Sequence, residues 1–383
     1  MQCDFIQIRN LFNVDKMKKN LKTVLLILMA AFVGCDSKSQ PSTTQTNLTS
    51  GDTVKSEALK IREPAVAGLF YPGTSSSLNE LIDKFLKDAP NLNITDLRAI
   101  ISPHAGYIYS GPVAAYGYKQ LLGKDYKTVI ILAPSHYALV RGASVCGADI
   151  YRTPLGDVRI SSKAHQIAQK PPFIPEAPAR MQRPGWSSES SRTVPPFGQD
   201  TPHTWEHSDE VQVPFLQKVL KDFELIPIIV GDCDTEQAAK VLNEFIDDKT
   251  LIVASSDLSH YLPYESAKSV DNRCIKTICN MDLSRIENEE ACGRMPIAIL
   301  MHIAKMRGWK PQLLNYRNSG DTAGDKRAVV GYASIAFVGK LNGLKNETQS
   351  KSSSLTDEQK KFLLKLARNT IKAVIVIKTY PMI

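Results

Sequence analysis

The chain has 383 residues, 43% of them hydrophobic and 22% charged. This is ordinary globular composition and sets aside a low-complexity or disordered chain. The formal net charge of +8 is carried by the ends: residues 1–62 sum to +4, residues 340–383 to +6, and the body between them to −2. A folded nucleic-acid binder concentrates basic charge on the domain itself, so nucleic acid is not the expected partner.

Lys18, Lys19 and Lys22 precede an apolar run from Thr23 to Gly34. A bilayer-spanning helix needs about 20 apolar residues, so this run is too short. It has the length of a signal-peptide core behind a positive flank. It ends in Phe32-Val33-Gly34-Cys35, followed by polar residues. That ending resembles a bacterial lipobox, with Cys35 as the lipidated residue. Residues 1–35 thus read as a leader starting at Met17, and 36–60 as a flexible tether. The expected location is the bacterial cell envelope, reached through a lipid anchor alone. A leader that does not function implies the cytoplasm instead.

The body alternates short apolar runs with helical stretches. Leu97 to Ser102, Lys127 to Ala133, Gly142 to Gly147, Leu225 to Val230, Leu251 to Ser256 and Arg327 to Val338 read as strands. Ser110 is expected to cap a helix running to Leu122, with Pro112 in its first turn. Ser208 is expected to cap a helix from Glu210 to Leu220, and another helix should run to Met306. Such alternation predicts an α/β fold, a largely parallel sheet with helices on both faces, over residues 62–339. Residues 164–204, dense in proline, show neither helical nor strand period and read as an irregular insert: a disordered loop or frameshifted sequence.

Seven cysteines are present, none in a CxxC pair, so a zinc-ribbon spacing is absent. Cys274 and Cys279 lie five apart on an expected helix, poor geometry for a disulfide.

Ligands in open parallel sheets sit outside the carboxyl ends of the strands. Three predicted strand ends carry histidines: His104, His136 and the Asp257-Leu258-Ser259-His260 turn. Neutral imidazoles with a carboxylate suit iron, copper, zinc or nickel. Asp257 either ligates or orients a ligand, and His260 either ligates or serves as a general acid/base. His207 belongs equally to a pocket or the surface. Cys292, at a helix start, is either a favoured thiolate or a buried thiol. Tyr107, Tyr109 and Tyr137 serve either a pocket wall or packing.

The segments REPAVAGLFYPG (62–73), PHAGYIYSGPVAA, APSHY, EHSDEVQVPFL, SSDLSHY, ACGRMPIAIL and SGDTAGD with VVGYASIAF together resemble the Memo family, whose bacterial members are called AmmeMemoRadiSam system protein B. The resemblance spans roughly 62–339, apart from 164–204. It implies a fold similar to class III extradiol dioxygenases, and a metal site of His104, His136 and Cys292 with Asp257 and His260. The implied metal is iron(II) or copper, with zinc as the alternative. Cys292 stands where those dioxygenases have a carboxylate, a softer donor that argues against ring opening. The tail at 340–383, with a capping-box form at Thr356 and apolar positions through Ile371, is similar to the truncated start of an Amme-type domain. That domain and a radical SAM protein are the implied partners. Three functions follow as expectations: an iron or copper oxidoreductase acting on a small molecule, with His260 and Asp257 catalytic; a non-catalytic module binding a peptide or anion; and a zinc-dependent hydrolase.

Overall fold

A computed structural model describes residues 58–340. The expectations for the leader, Cys35, most of the tether and the tail beyond Lys340 lie outside the described residues. In chain order the strands are β1 (Ile61–Arg62), β2 (Leu97–Ser102), β3 (Thr128–Pro134), β4 (Ala143–Val145), β5 (Ile150–Thr153), β6 (Gly156–Arg159), β7 (Phe173–Pro175), β8 (Glu224–Val230), β9 (Thr250–Ser255), β10 (Lys310–Asn318) and β11 (Gly331–Val338). The helices are α1 (Ser75–Asp88), α2 (Tyr107–Lys119), α3 (Lys163–Ala168), α4 (Val213–Val219), α5 (Thr235–Asn243), α6 (Tyr264–Cys279), α7 (Arg294–Arg307) and α8 (Ser319–Thr322). No helix among the described residues is long and apolar enough to cross a membrane.

An eight-stranded sheet, ordered β10-β11-β2-β9-β3-β8-β4-β7, forms the centre. Its middle four strands, β2, β9, β3 and β8, are parallel. β11 is antiparallel to β2 and β10 to β11, whereas β4 is antiparallel to β8. A separate three-stranded sheet joins β1, β5 and β6. The continuous apolar runs follow from two covered faces. Ile101, Ile130, Leu132, Ile228 and Ala254 pack on one side with residues of α3, α5, α6 and α7. Their neighbours Ile100, Val129, Ile131, Ile229 and Val253 pack on the other with residues of α1, α2 and α4. The α/β fold with helices on both faces is therefore as expected.

Several local expectations are corrected. α2 begins at Tyr107 after Gly106, not at Ser110, whose hydroxyl donates to Ala105 O at 2.7 Å. Ser208 caps no helix; its hydroxyl donates to Pro134 O at 3.0 Å. The chain there makes a 3-10 turn over Glu210–Gln212 before α4. Strand β11 starts at Gly331 rather than at residue 327. Strand β10 has no apolar run because most of its side chains are only partly covered at the sheet edge.

The proline-dense stretch carries structure that its sequence does not announce. It supplies α3 and then β7, the outermost strand, where Pro175 costs no ladder bond because the edge needs no donor. A 3-10 turn at Gly185–Ser188 sets Trp186 against Phe70, Tyr137 and Trp205.

Candidate functional site

The sheet order explains why the chemistry-bearing turns converge. β9 lies between β2 and β3, all three parallel, so their carboxyl ends emerge side by side. His104 follows β2, His136 follows β3, and Asp257 to His260 follow β9. Cys292 precedes α7, whose leading Gly293 lies so close to β9 that a Cβ there would sit 2.3 Å from Ser255 O. A cavity of about 770 Å³ opens over these ends, lined by His104, His136, His207, Asp257 and His260, with Tyr109, Tyr137 and Phe70 among its walls.

Hydrogen-bond bookkeeping fixes the histidine tautomers. Pro103 O only accepts, so the Gln212 side-chain nitrogen must face it, at 3.0 Å; the same nitrogen donates to Ser255 Oγ at 2.8 Å. The single Ser255 hydroxyl proton goes to Ser208 O at 2.6 Å. Ser255 Oγ can therefore only accept from His104 Nδ1, 2.8 Å away. His104 Nδ1 carries the proton, and Nε2 presents a lone pair to the pocket, 3.2 Å from Cys292 Sγ.

His136 is oriented by a carboxylate. Its Nδ1 lies 2.8 Å from Glu206 Oε1, and its backbone N–H donates to Glu206 Oε2 at 2.7 Å. The same carboxylate accepts the backbone N–H groups of His207 at 3.0 Å and Ser208 at 3.1 Å. A carboxylate holding the far nitrogen of an imidazole is the usual support of a metal-binding histidine. Burial opposes charge on both groups. Even so, His136 keeps the Glu206 carboxyl well below the usual carboxylate range, and Glu206 with Cys292 holds His136 up at about 11.

His207 stacks on His136, with centroids 4.7 Å apart, and its Nδ1 is 3.1 Å from the Tyr137 hydroxyl. Burial pushes it down to about 4, and pushes His104 well below the usual histidine value. Asp257 accepts the His104 N–H at 2.8 Å, and burial raises it to about 7. Burial lowers His260 and raises the Cys292 thiol.

His104, His136 and His207 offer ligand atoms that all lie within 4.8 Å of one another, a group able to hold a metal ion. The donor set fits: bonds at Nδ1 turn Nε2 of His104 and His136 away from their supports, the first with a lone pair and a thiol beside it, the second with a proton that a metal would displace. His207, open between pocket and surface in the sequence, belongs to the pocket. Tyr107 does not: it is buried, its hydroxyl donates to Val211 O at 2.6 Å, and its ring packs on Tyr71 and Phe215. Tyr109 takes the wall position two residues on. Glu206 has little to mark it in the sequence beyond being a carboxylate directly before a histidine.

The turn bearing His260 is anchored separately. Asp271 of α6 accepts Ser259 N–H at 2.9 Å and the Tyr316 hydroxyl at 2.7 Å. Gly331 leaves room for that carboxylate, since a Cβ there would lie 2.0 Å from Asp271 Oδ2. Gly331→Ala is accordingly expected to cost about 1–3 kcal/mol by overpacking, measured as a shift of the denaturant midpoint. A midpoint equal to wild type would show that Asp271 has room to retreat.

Fold and pocket together define a mixed α/β protein with a histidine-lined cavity at the carboxyl ends of its central parallel strands. The family model for Memo-like proteins matches residues 62–336. A MEMO1 family protein of Nitrosopumilus maritimus is 36% identical over 296 residues, covering 73% of this chain and 100% of the relative. MEMO1 family proteins of Aquifex aeolicus and Methanosarcina mazei are 34% and 36% identical over 293 and 292 residues, covering 73% and 72% of this chain and 100% and 99% of theirs. The chain belongs to the Memo family.

Proposed function

We propose that this cavity is a mononuclear metal centre of an oxidoreductase acting on a small organic molecule, with iron(II) or copper held by His104, His136 and Cys292. The observation that carries the reading is the pair of committed Nδ1 atoms: Ser255 and Glu206 spend them, which turns both Nε2 atoms to a metal, His104 with a lone pair and His136 on giving up its proton. Cys292 Sγ, at 3.2 Å from His104 Nε2, is the third donor. His207, which also offers a ligand atom to this group, is assigned to the wall, its ring stacked on that of His136 with centroids 4.7 Å apart. When bound, such a metal supplies a redox couple and a Lewis acid. The protein's own part is to orient and to move protons. Asp257 holds the His104 backbone in place, and His260, on the cavity wall, exchanges a proton with the bound molecule.

Elemental analysis of full-length protein purified without chelator tests this. Near-stoichiometric iron or copper is expected in the wild type and in His207→Ala and His260→Ala, and is expected to be lost in His104→Ala and Cys292→Ala. Zinc alone would turn the reading into a hydrolase. A wild type that neither holds nor takes up metal would leave a binding module.

A further inference from the structure

Six tyrosines are deeply buried: Tyr71, Tyr107, Tyr118, Tyr126, Tyr151 and Tyr332. Five of them spend the hydroxyl on a protein acceptor: Glu210, Val211 O, Gln212, Leu97 O and Asp209. Tyr332, the second residue of β11 and 2% exposed, bonds to no group among the described residues. The hydroxyl is not sealed in the core, because Tyr332 lines the cavity. It shares the cavity lining with Asp257, Tyr109 and Tyr261. Phe70, Ala328 and Val330 give the cavity apolar lining, and no Lys or Arg lines it. Polar contacts to a bound molecule therefore fall to imidazoles and hydroxyls.

We infer that the Tyr332 hydroxyl is a substrate-binding hydrogen-bond donor, and that the cavity takes a small, flat organic molecule carrying a carbonyl or hydroxyl oxygen. This rests on the reading of the cavity as a substrate pocket, but not on the metal. The donor meets the oxygen, and the flat apolar body lies against Phe70 and Val330. A phenol on the cavity wall is met by water until a ligand oxygen takes its place, so it favours an oxygen-bearing molecule over an isostere that would leave the hydroxyl unpaired.

The test is a fluorine NMR titration of the full chain with para-fluoroacetophenone and para-fluorotoluene, in wild type and Tyr332→Phe. Tyr332→Phe is expected to weaken acetophenone binding roughly 3- to 10-fold, the range of one neutral hydrogen bond. Toluene binding should not change, and neither should the melting temperature, since no protein bond is lost. The inference is overturned if the substitution affects both probes alike, or if neither probe binds the wild type. It is also overturned if the variant melts several degrees lower, which would reveal a structural partner for the hydroxyl. Metal content of the same samples is measured separately. A metal-free protein that still binds acetophenone through Tyr332 keeps this inference and sinks the metal centre.

Discussion

Glu206→Ala is expected to destabilise the protein by about 3–5 kcal/mol, the range for stripping one partner from a buried charged pair. The side chain is almost fully buried and its two oxygens accept four N–H groups: His136 N and Nδ1, His207 N and Ser208 N. Removing it strands all four donors and frees the His136 ring. The measurement is a urea midpoint with the slope held constant, beside a competition titration with a chromophoric chelator. Metal affinity should fall about 10- to 100-fold, as is typical when the group supporting a ligand is lost. His136→Ala provides the contrast. It removes the ligand but leaves Glu206 with three backbone donors, so its stability cost should be smaller than that of Glu206→Ala. Were the two costs equal, the carboxylate would be supporting the ring alone and not the turn.

The four central strands were legible because both their faces are covered, which writes them as unbroken apolar runs such as Thr128–Pro134. The convergence of His104, His136 and the Asp257–His260 turn followed from strand ends alone. What the sequence hid has common physical causes. β10 lies at an edge with partly exposed side chains, so no run marks it. Ser110 and Ser208 look like caps, yet each hydroxyl is drawn to a nearby carbonyl instead. Tyr107 and Tyr109 are two residues apart on one helix, and only packing decides that the first enters the core while the second faces the cavity. Glu206 and Tyr332 stand out by what surrounds them in space: an acceptor that four donors share, and a hydroxyl that meets no protein acceptor among the described residues. Neither property has a local sequence pattern.

Arg62→Ala carries the second large effect, again about 3–5 kcal/mol. Arg62 and Glu210 form an ion pair at the protein's interior, with side chains 3% and 0% exposed. The guanidinium also donates to Glu63 O at 2.9 Å, His203 O at 3.2 Å and Glu206 O at 2.6 Å, and it lies over the Tyr151 ring. Glu210 in turn accepts Ala65 N at 2.7 Å, Val66 N at 3.0 Å and the Tyr71 hydroxyl at 2.6 Å. The pair thus clamps the segment that begins at β1 and leads to Phe70 onto the turn that carries Glu206. Without Arg62, Glu210 is left as a buried charge and the Glu206 turn loses its backbone anchor. At roughly 2–4 °C per kcal/mol for a domain of this size, the melting temperature should fall by about 6–20 °C. Arg62→Lys should recover little, because one ammonium cannot span acceptors that a planar five-donor fork reaches together. Replacing both partners, Arg62→Met with Glu210→Leu, should remain destabilised as well: the three donors that Glu210 satisfies would still be stranded, unlike the case of an isolated pair. A double variant as stable as wild type would show that the clamp is apolar packing, with the charges incidental. Full recovery by Arg62→Lys would show instead that a single positive charge suffices and the fork geometry does not matter.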